Sequence, residues 1–221
     1  MWKYSNGLSV SSPHEIVSYE IEAALRKLGF DIVVRNFRYL KKGFSQTLGV
    51  DFDSLGIPNS YSEIIDKAIL CGQEDIPPIH GIPNTFRDNF MDSQKQIQTN
   101  SDEFDKHEME NYLYALCMRD ITSPLKKILK LHKLDDLNFR DWNDYELKSF
   151  VDNIPYLRVQ KHLFGQLIKN RSQIPKPSDL EDWSGLGTAV NYCNLVVCEK
   201  HFANTIVRDG FETFARVETG L

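Results

Sequence analysis

The run from Ser178 to Phe202, SDLEDWSGLGTAVNYCNLVVCEKHF, limits the possible folds more than any other part of this chain. Asp179 and Asp182 are spaced so that both carboxylates fall on one side of a helical turn. Gly185, Gly187, Thr188 and Ala189 keep the same helix slender enough to lie close against its neighbours. Leu195-Val196-Val197 is a short apolar, β-branched run of the kind buried on both faces of a parallel sheet. Such a strand needs helices above and below it, so the run predicts an α/β fold: three layers around a mostly parallel sheet. Glu199 follows the strand at its carboxyl end, where open α/β sheets place their ligand crevice. Carboxylates converging there would form an oxygen-rich site suited to Mg²⁺ or Mn²⁺.

This order of elements, an acid-led helix with small residues, an apolar strand, then a cysteine and an acid, resembles the C-terminal half of a PIN-like nuclease domain. The resemblance covers roughly Asn153 to Val217. It implies metal-dependent phosphodiester hydrolysis of the ribonuclease type, with RNA as a candidate substrate and Mg²⁺ or Mn²⁺ as cofactor. Asp182 matches the family's helix-leading acid, and Glu199 matches the acid after its last core strand. Asp179 is a third candidate ligand, with helix capping as its alternative role. Glu20 is the positional match for the family's acid on an early helix, with a solvated helix residue as the alternative reading. Two-metal hydrolysis needs such acids to hold ions roughly 4 Å apart. PIN-like domains open on an apolar strand ending in aspartate, whereas the first aspartate here is Asp31, and Asn194 stands where related sequences often carry an acid. Either the chain starts downstream of that strand or the domain has diverged. The alternative function is therefore a PIN-like binding or scaffold module that does not cleave. A Cys198–His201 nucleophilic pair is a rival chemistry for which no oxyanion loop can be named.

At 221 residues the chain fits one α/β domain, 1–221, with an inserted loop and helical region over about 44–152. No apolar run approaches the roughly 18 residues of a membrane span, and the N-terminus lacks a signal-peptide pattern, so a cytoplasmic protein with no membrane partner is expected. A homo-oligomer is a candidate assembly. Cys71, Cys117, Cys193 and Cys198 lack CxxC spacing and read as free thiols; the scattered histidines predict no zinc. The net charge of −5 argues against gripping nucleic acid through a general field, although a local basic strip can still hold phosphates. Two candidate strips are Lys126, Lys127, Lys130 and Lys133, and Lys161, Lys169, Arg171 and Lys176, each with a solvated helix face as the alternative.

In chain order, Ser12 and Pro13 predict a helix start that runs to about Leu28 and stops at Gly29. Ile32 to Val34 predicts a buried strand, and Phe44 to Asn84 a long loop with one helix at Ser62 to Cys71. Asn100 and Glu103 resemble a capping box for a helix to about Met118, and Ser123-Pro124 opens another over Leu125 to Leu134. Helices over Asp144 to Val151 and Pro155 to Lys169 follow. A short helix after Glu199 closes at Arg208-Asp209-Gly210, and Phe211 to Val217 is the last strand.

Overall fold

The structure, a computed structural model, describes residues 8–10, 13–35, 37, 40–42, 84–100, 104–134, 136–170, 172, 174, 176 and 179–219. The expected helix at Ser62 to Cys71 with its surrounding loop, and the cap residues Ser12 and Glu103, lie outside these residues. The chain divides into two compact units: Met1–Ile16 with Asn36–Pro83, and Val17–Arg35 with Asn84–Leu221. In the first unit, β1 (Leu8–Val10) pairs antiparallel with β2 (Leu40–Lys42), Leu8 opposite Lys42. Helix α1 (Pro13–Lys27) begins in the first unit and lies mostly in the second.

The second unit is helical. Its elements are α1, α2 (Asn84–Asn100), α3 (Lys106–Leu131), α4 (Asp144–Asp152), α5 (Pro155–Lys169), α6 (Asp179–Tyr192), β3 (Leu195–Cys198), α7 (Lys200–Val207) and β4 (Arg216–Thr219). Helix α5 forms a shared wall between two apolar clusters. On one side Leu157 and Ile154 pack with Val17, Ile21 and Leu25 of α1, Cys117, Ile121 and Ile128 of α3, and Phe150 of α4. On the other, Val159, Leu163, Phe164 and Leu167 pack with Trp183, Leu186 and Val190 of α6, Val196 of β3, and Phe202 and Ile206 of α7. Leu157, at the start of α5, belongs to the first cluster, while Val159, Leu163, Phe164 and Leu167 further along belong to the second, so the helix is covered by one cluster at its start and by the other along the rest of its length.

Helix α3 starts later and runs further than its sequence predicts. Its capping box is Asp105 with Glu108: the Asp105 carboxylate accepts from the His107 and Glu108 amides at 2.7 and 2.9 Å, and Glu108 accepts from the Asp105 amide at 3.0 Å. The helix then continues through Pro124 rather than restarting there. Proline removes one amide donor. The buried stripe of Cys117, Ile121, Leu125 and Ile128 nevertheless continues unbroken across it, and tertiary burial holds the helix together.

The expected three-layer α/β fold with a mostly parallel sheet is not what the chain adopts. Among the described residues there are seven α-helices, and the parallel sheet has two strands, β3 and β4, with Leu195 opposite Arg216. Leu195 and Val197 are 54% and 60% exposed while Val196 is buried, so β3 alternates as a strand covered on one face only. The strand expected over Ile32 to Val34 is not formed: the Ile32 amide turns back onto the Phe30 carbonyl at 2.9 Å, Ile32 joins the core and Val33 is exposed. An apolar triplet long enough for a two-sided strand is also long enough for one buried side chain flanked by two exposed ones. Only the presence or absence of a second covering layer distinguishes the two. No described helix is long and apolar enough to cross a membrane.

Candidate functional site

The four candidate acids fall into separate environments. Asp179 opens α6 and is buried, with its Oδ2 accepting the Lys176 amide at 2.9 Å, which closes the turn before the helix. Glu199 precedes α7, lies exposed, and places Oε2 3.3 Å from Nδ1 of His201. Asp182 lies partly exposed one turn into α6. The return of β3 alongside α6 brings Asp182 and Glu199 to the same end of the structure. Both act on Cys198, whose thiol is pushed up by burial and then by these two negative charges. That electrostatic setting opposes a thiolate, so it weakens the Cys198–His201 nucleophilic pair.

Glu20 lies elsewhere. It projects from α1 and is 2% exposed. Its Oε2 accepts the Tyr156 amide at 2.8 Å, and its Oε1 accepts the Tyr192 hydroxyl. Tyr192 closes α6 and Asp179 opens it, so the two ends of this 14-residue helix stand roughly 20 Å apart along its axis. Glu20 therefore belongs to the opposite end of α6 from Asp179. Among the described residues, no group of three His, Cys, Asp or Glu side chains is placed to hold a metal ion.

The Glu20 site follows from a local deficit in the chain. Helix α5 begins Ile154-Pro155, and isoleucine offers no side-chain oxygen to cap the first turn. The Tyr156 amide needs an acceptor, and α1 supplies it across the core. The carboxylate also sits at the positive end of the α5 dipole. Burial nonetheless dominates, and with no cation facing it among the described residues the Glu20 carboxyl is pushed up to about 7 in spite of both hydrogen bonds. Tyr156 fits here because α6 presents Gly187: a Cβ at that position would lie 2.7 Å from Cδ2 of Tyr156 and from Nε2 of Gln160. The small residue expected from sequence is thus required, whereas Gly185 faces open space. Gln160 completes the α5–α6 contact by bonding both Nε1 and the carbonyl of Trp183.

Glu22, on the same helix, is 1% exposed but ionic. Arg35 reaches it with Nε at 2.9 Å, a terminal nitrogen at 2.7 Å and its backbone amide at 3.1 Å, and His132 Nε2 lies 3.1 Å away. Burial alone would raise this carboxyl, but the bonds from Arg35 and His132 outweigh it and hold the group below the usual carboxylate range. Nothing in the sequence marks Arg35, His132, Tyr156 or Tyr192 as site residues. The one local signal is the uncapped Ile-Pro start of α5.

The two basic strips also separate. Lys161 is paired with Asp152 and the Tyr114 hydroxyl, and Lys169 with Asp209 at 2.5 Å. They line an open groove of about 330 Å³ with Arg158, His162 and Phe211. The Arg171 side chain lies outside the described residues. Lys126, Lys127, Lys130 and Lys133 are all exposed, and the ion pairs among the described residues involve none of them. Comparison with models of protein families, with curated proteins and with solved structures finds no match to this chain.

Proposed function

We propose that this chain works as a helical binding or scaffold module rather than as a hydrolase. The observation that carries the reading is the placement of its acids. Glu20 caps α5 from a distance, Asp179 closes a turn, and the two ends of α6 keep those roles apart. Carboxylates held by backbone amides are poor candidates for a shared pair of metal ions, which needs several free oxygens within a few ångströms. The competing ribonuclease reading draws on Asp182 and Glu199, which share the Cys198 end of β3.

Incubation of the intact chain with labelled RNA and millimolar Mn²⁺, read on a denaturing gel, separates the two. The expected result is intact RNA and an unchanged thermal midpoint with Mn²⁺. Mn²⁺-dependent cleavage that disappears in Asp182→Asn would overturn the proposal.

A further inference from the structure

We infer that the exposed lysine stripe at the C-terminal end of α3 is a sequence-independent contact surface for the phosphate backbone of single-stranded nucleic acid. The inference rests on the binding-module reading and supplies its partner. Lys126 and Lys130 stand one turn apart on one side of α3 with Lys127 beside them, and Lys133 lies in the turn that follows the helix. Within the helix the row spans about 6 Å, over which a strand with 3.4 Å per phosphate offers about two negative charges.

Two observations separate this stripe from an ordinary solvated face. The first is its freedom. The lysines at 148, 161 and 169 are each held by a carboxylate, whereas the ion pairs among the described residues leave these four without one. Among the residues whose side chains are described, Asp136 is the nearest exposed acid that follows them in sequence. In a chain of net charge −5, a concentrated free positive row is a local exception.

The second is the backbone at Lys133. The helix ends in a two-bond motif, with the Leu134 amide on the Leu129 carbonyl at 2.8 Å and the Lys133 amide on the Lys130 carbonyl at 3.2 Å. Lys133 therefore occupies the left-handed position that such endings give to glycine, at φ 57°. A side chain there is disfavoured, so a lysine at that position needs a reason beyond the helix ending. The helix dipole favours cations in the last turn, which accounts for Lys130 but not for Lys126 or Lys127 further back. A membrane surface fits less well. The apolar side of α3 is buried in the core, leaving only Leu131 exposed among the lysines to enter lipid.

The test is fluorescence anisotropy of the intact chain with a fluorescein-labelled, unstructured single-stranded RNA across a salt series. The wild type should bind at low salt. Lys126→Glu with Lys130→Glu should weaken binding at least about tenfold and make the salt slope shallower by roughly 1.4, about 0.7 for each lost contact. Lys95→Glu with Lys106→Glu makes the same change in net charge elsewhere and should leave affinity nearly unchanged. Lys133→Gly should unfold at a higher temperature than wild type yet bind less tightly, a combination that loss of folding cannot produce. Equal losses in the stripe and control variants would overturn the inference. So would absence of wild-type binding, or binding confined to vesicles of equal parts phosphatidylcholine and phosphatidylserine. Any of these leaves the non-catalytic reading intact, whereas shortening of the RNA in Mn²⁺ overturns that reading whatever the stripe does.

Discussion

Glu20 and Glu22 stand two residues apart on one helix and are both almost fully buried, yet the protein treats them in opposite ways. Glu22 is surrounded by donors that carry or can carry charge, Arg35 and His132, and stays ionised. Among the described residues Glu20 meets a tyrosine hydroxyl and a backbone amide, neither of them charged, and burial pushes it up to about 7. Two residues on a helix turn the side chain by more than half a circle, so the pair faces different parts of the core. Burial therefore does not set the charge of a carboxylate. The nature of the donors that face it does.

The comparison predicts opposite responses to pH. The folded carboxyl of Glu22 lies below its ordinary value of 4.5, so its contribution is full above that value and is lost as pH falls through the folded one. For Glu20 the folded value is raised from 4.5 to about 7. Its contribution is full below 4.5 and is lost as pH rises toward and through 7, on the order of 3 kcal/mol in total.

The largest effect should come from removing the ionic partner. Glu22→Ala leaves Arg35 and His132 without their acceptor and should cost about 3 kcal/mol in urea unfolding at neutral pH, the low end for a buried pair because Arg35 is 39% exposed. If the cost stays below about 1 kcal/mol, the Glu22 cluster is behaving as a surface pair and the contrast fails. Glu20→Gln should do the reverse, keeping an acceptor while discarding the charge. It should match wild type in acid and exceed it by about 3 kcal/mol above about pH 8, seen as a flatter stability profile. A profile as steep as wild type would place the titration on another group.

Gly187→Ala sharpens the Glu20 side of the comparison. The added methyl meets the Tyr156 ring, and displacing that residue disturbs the amide that Glu20 holds. A loss of about 2 kcal/mol is expected, read from the thermal midpoint. An unchanged midpoint would show that Tyr156 can move away at no cost. Tyr192→Phe should have the smallest effect, about 1 kcal/mol and only above about pH 7, where the hydroxyl has an anion to stabilise. The Glu20 titration should move upward at the same time, since one of the bonds that lowers it is gone. Carbonyl-labelled NMR of Glu20 would follow the shift directly, and a downward movement would contradict the proposed geometry.

Several elements are legible in the sequence because their signals are local. Pro155 to Lys169 carries Pro at its first position and a sustained apolar period, and α5 has those limits. The stop at Arg208-Asp209-Gly210 falls where expected, but its cap is Arg208 in an extended conformation rather than the glycine, and Asp209 takes positive φ as well as Gly210, 59° and 70°. The place of Gly187 in a small-residue run marks it as a close-approach residue, and it is one. Capping is harder to read. Asn100 with Glu103 and Asp105 with Glu108 fit the same pattern; Asn100 ends α2, and the second pair caps α3.

The sheet marks the division between what the sequence alone determined and what the tertiary structure decided. Leu195-Val196-Val197 has β-branched residues and turn signals around it, so its being a strand is decided locally. Its burial is not, because that depends on how many layers the rest of the chain supplies. Here the helices cover one face. The same holds for the acids. Composition and spacing determine which residues could bind a cation. Whether they meet depends on which ends of α6 and β3 lie together, and whether Glu20 stays charged depends on donors drawn from α5 and α6, far along the chain. Hydrogen-bonding partners more than a hundred residues away leave no periodic trace in sequence, since they act through space on a single side chain rather than through a repeated local preference.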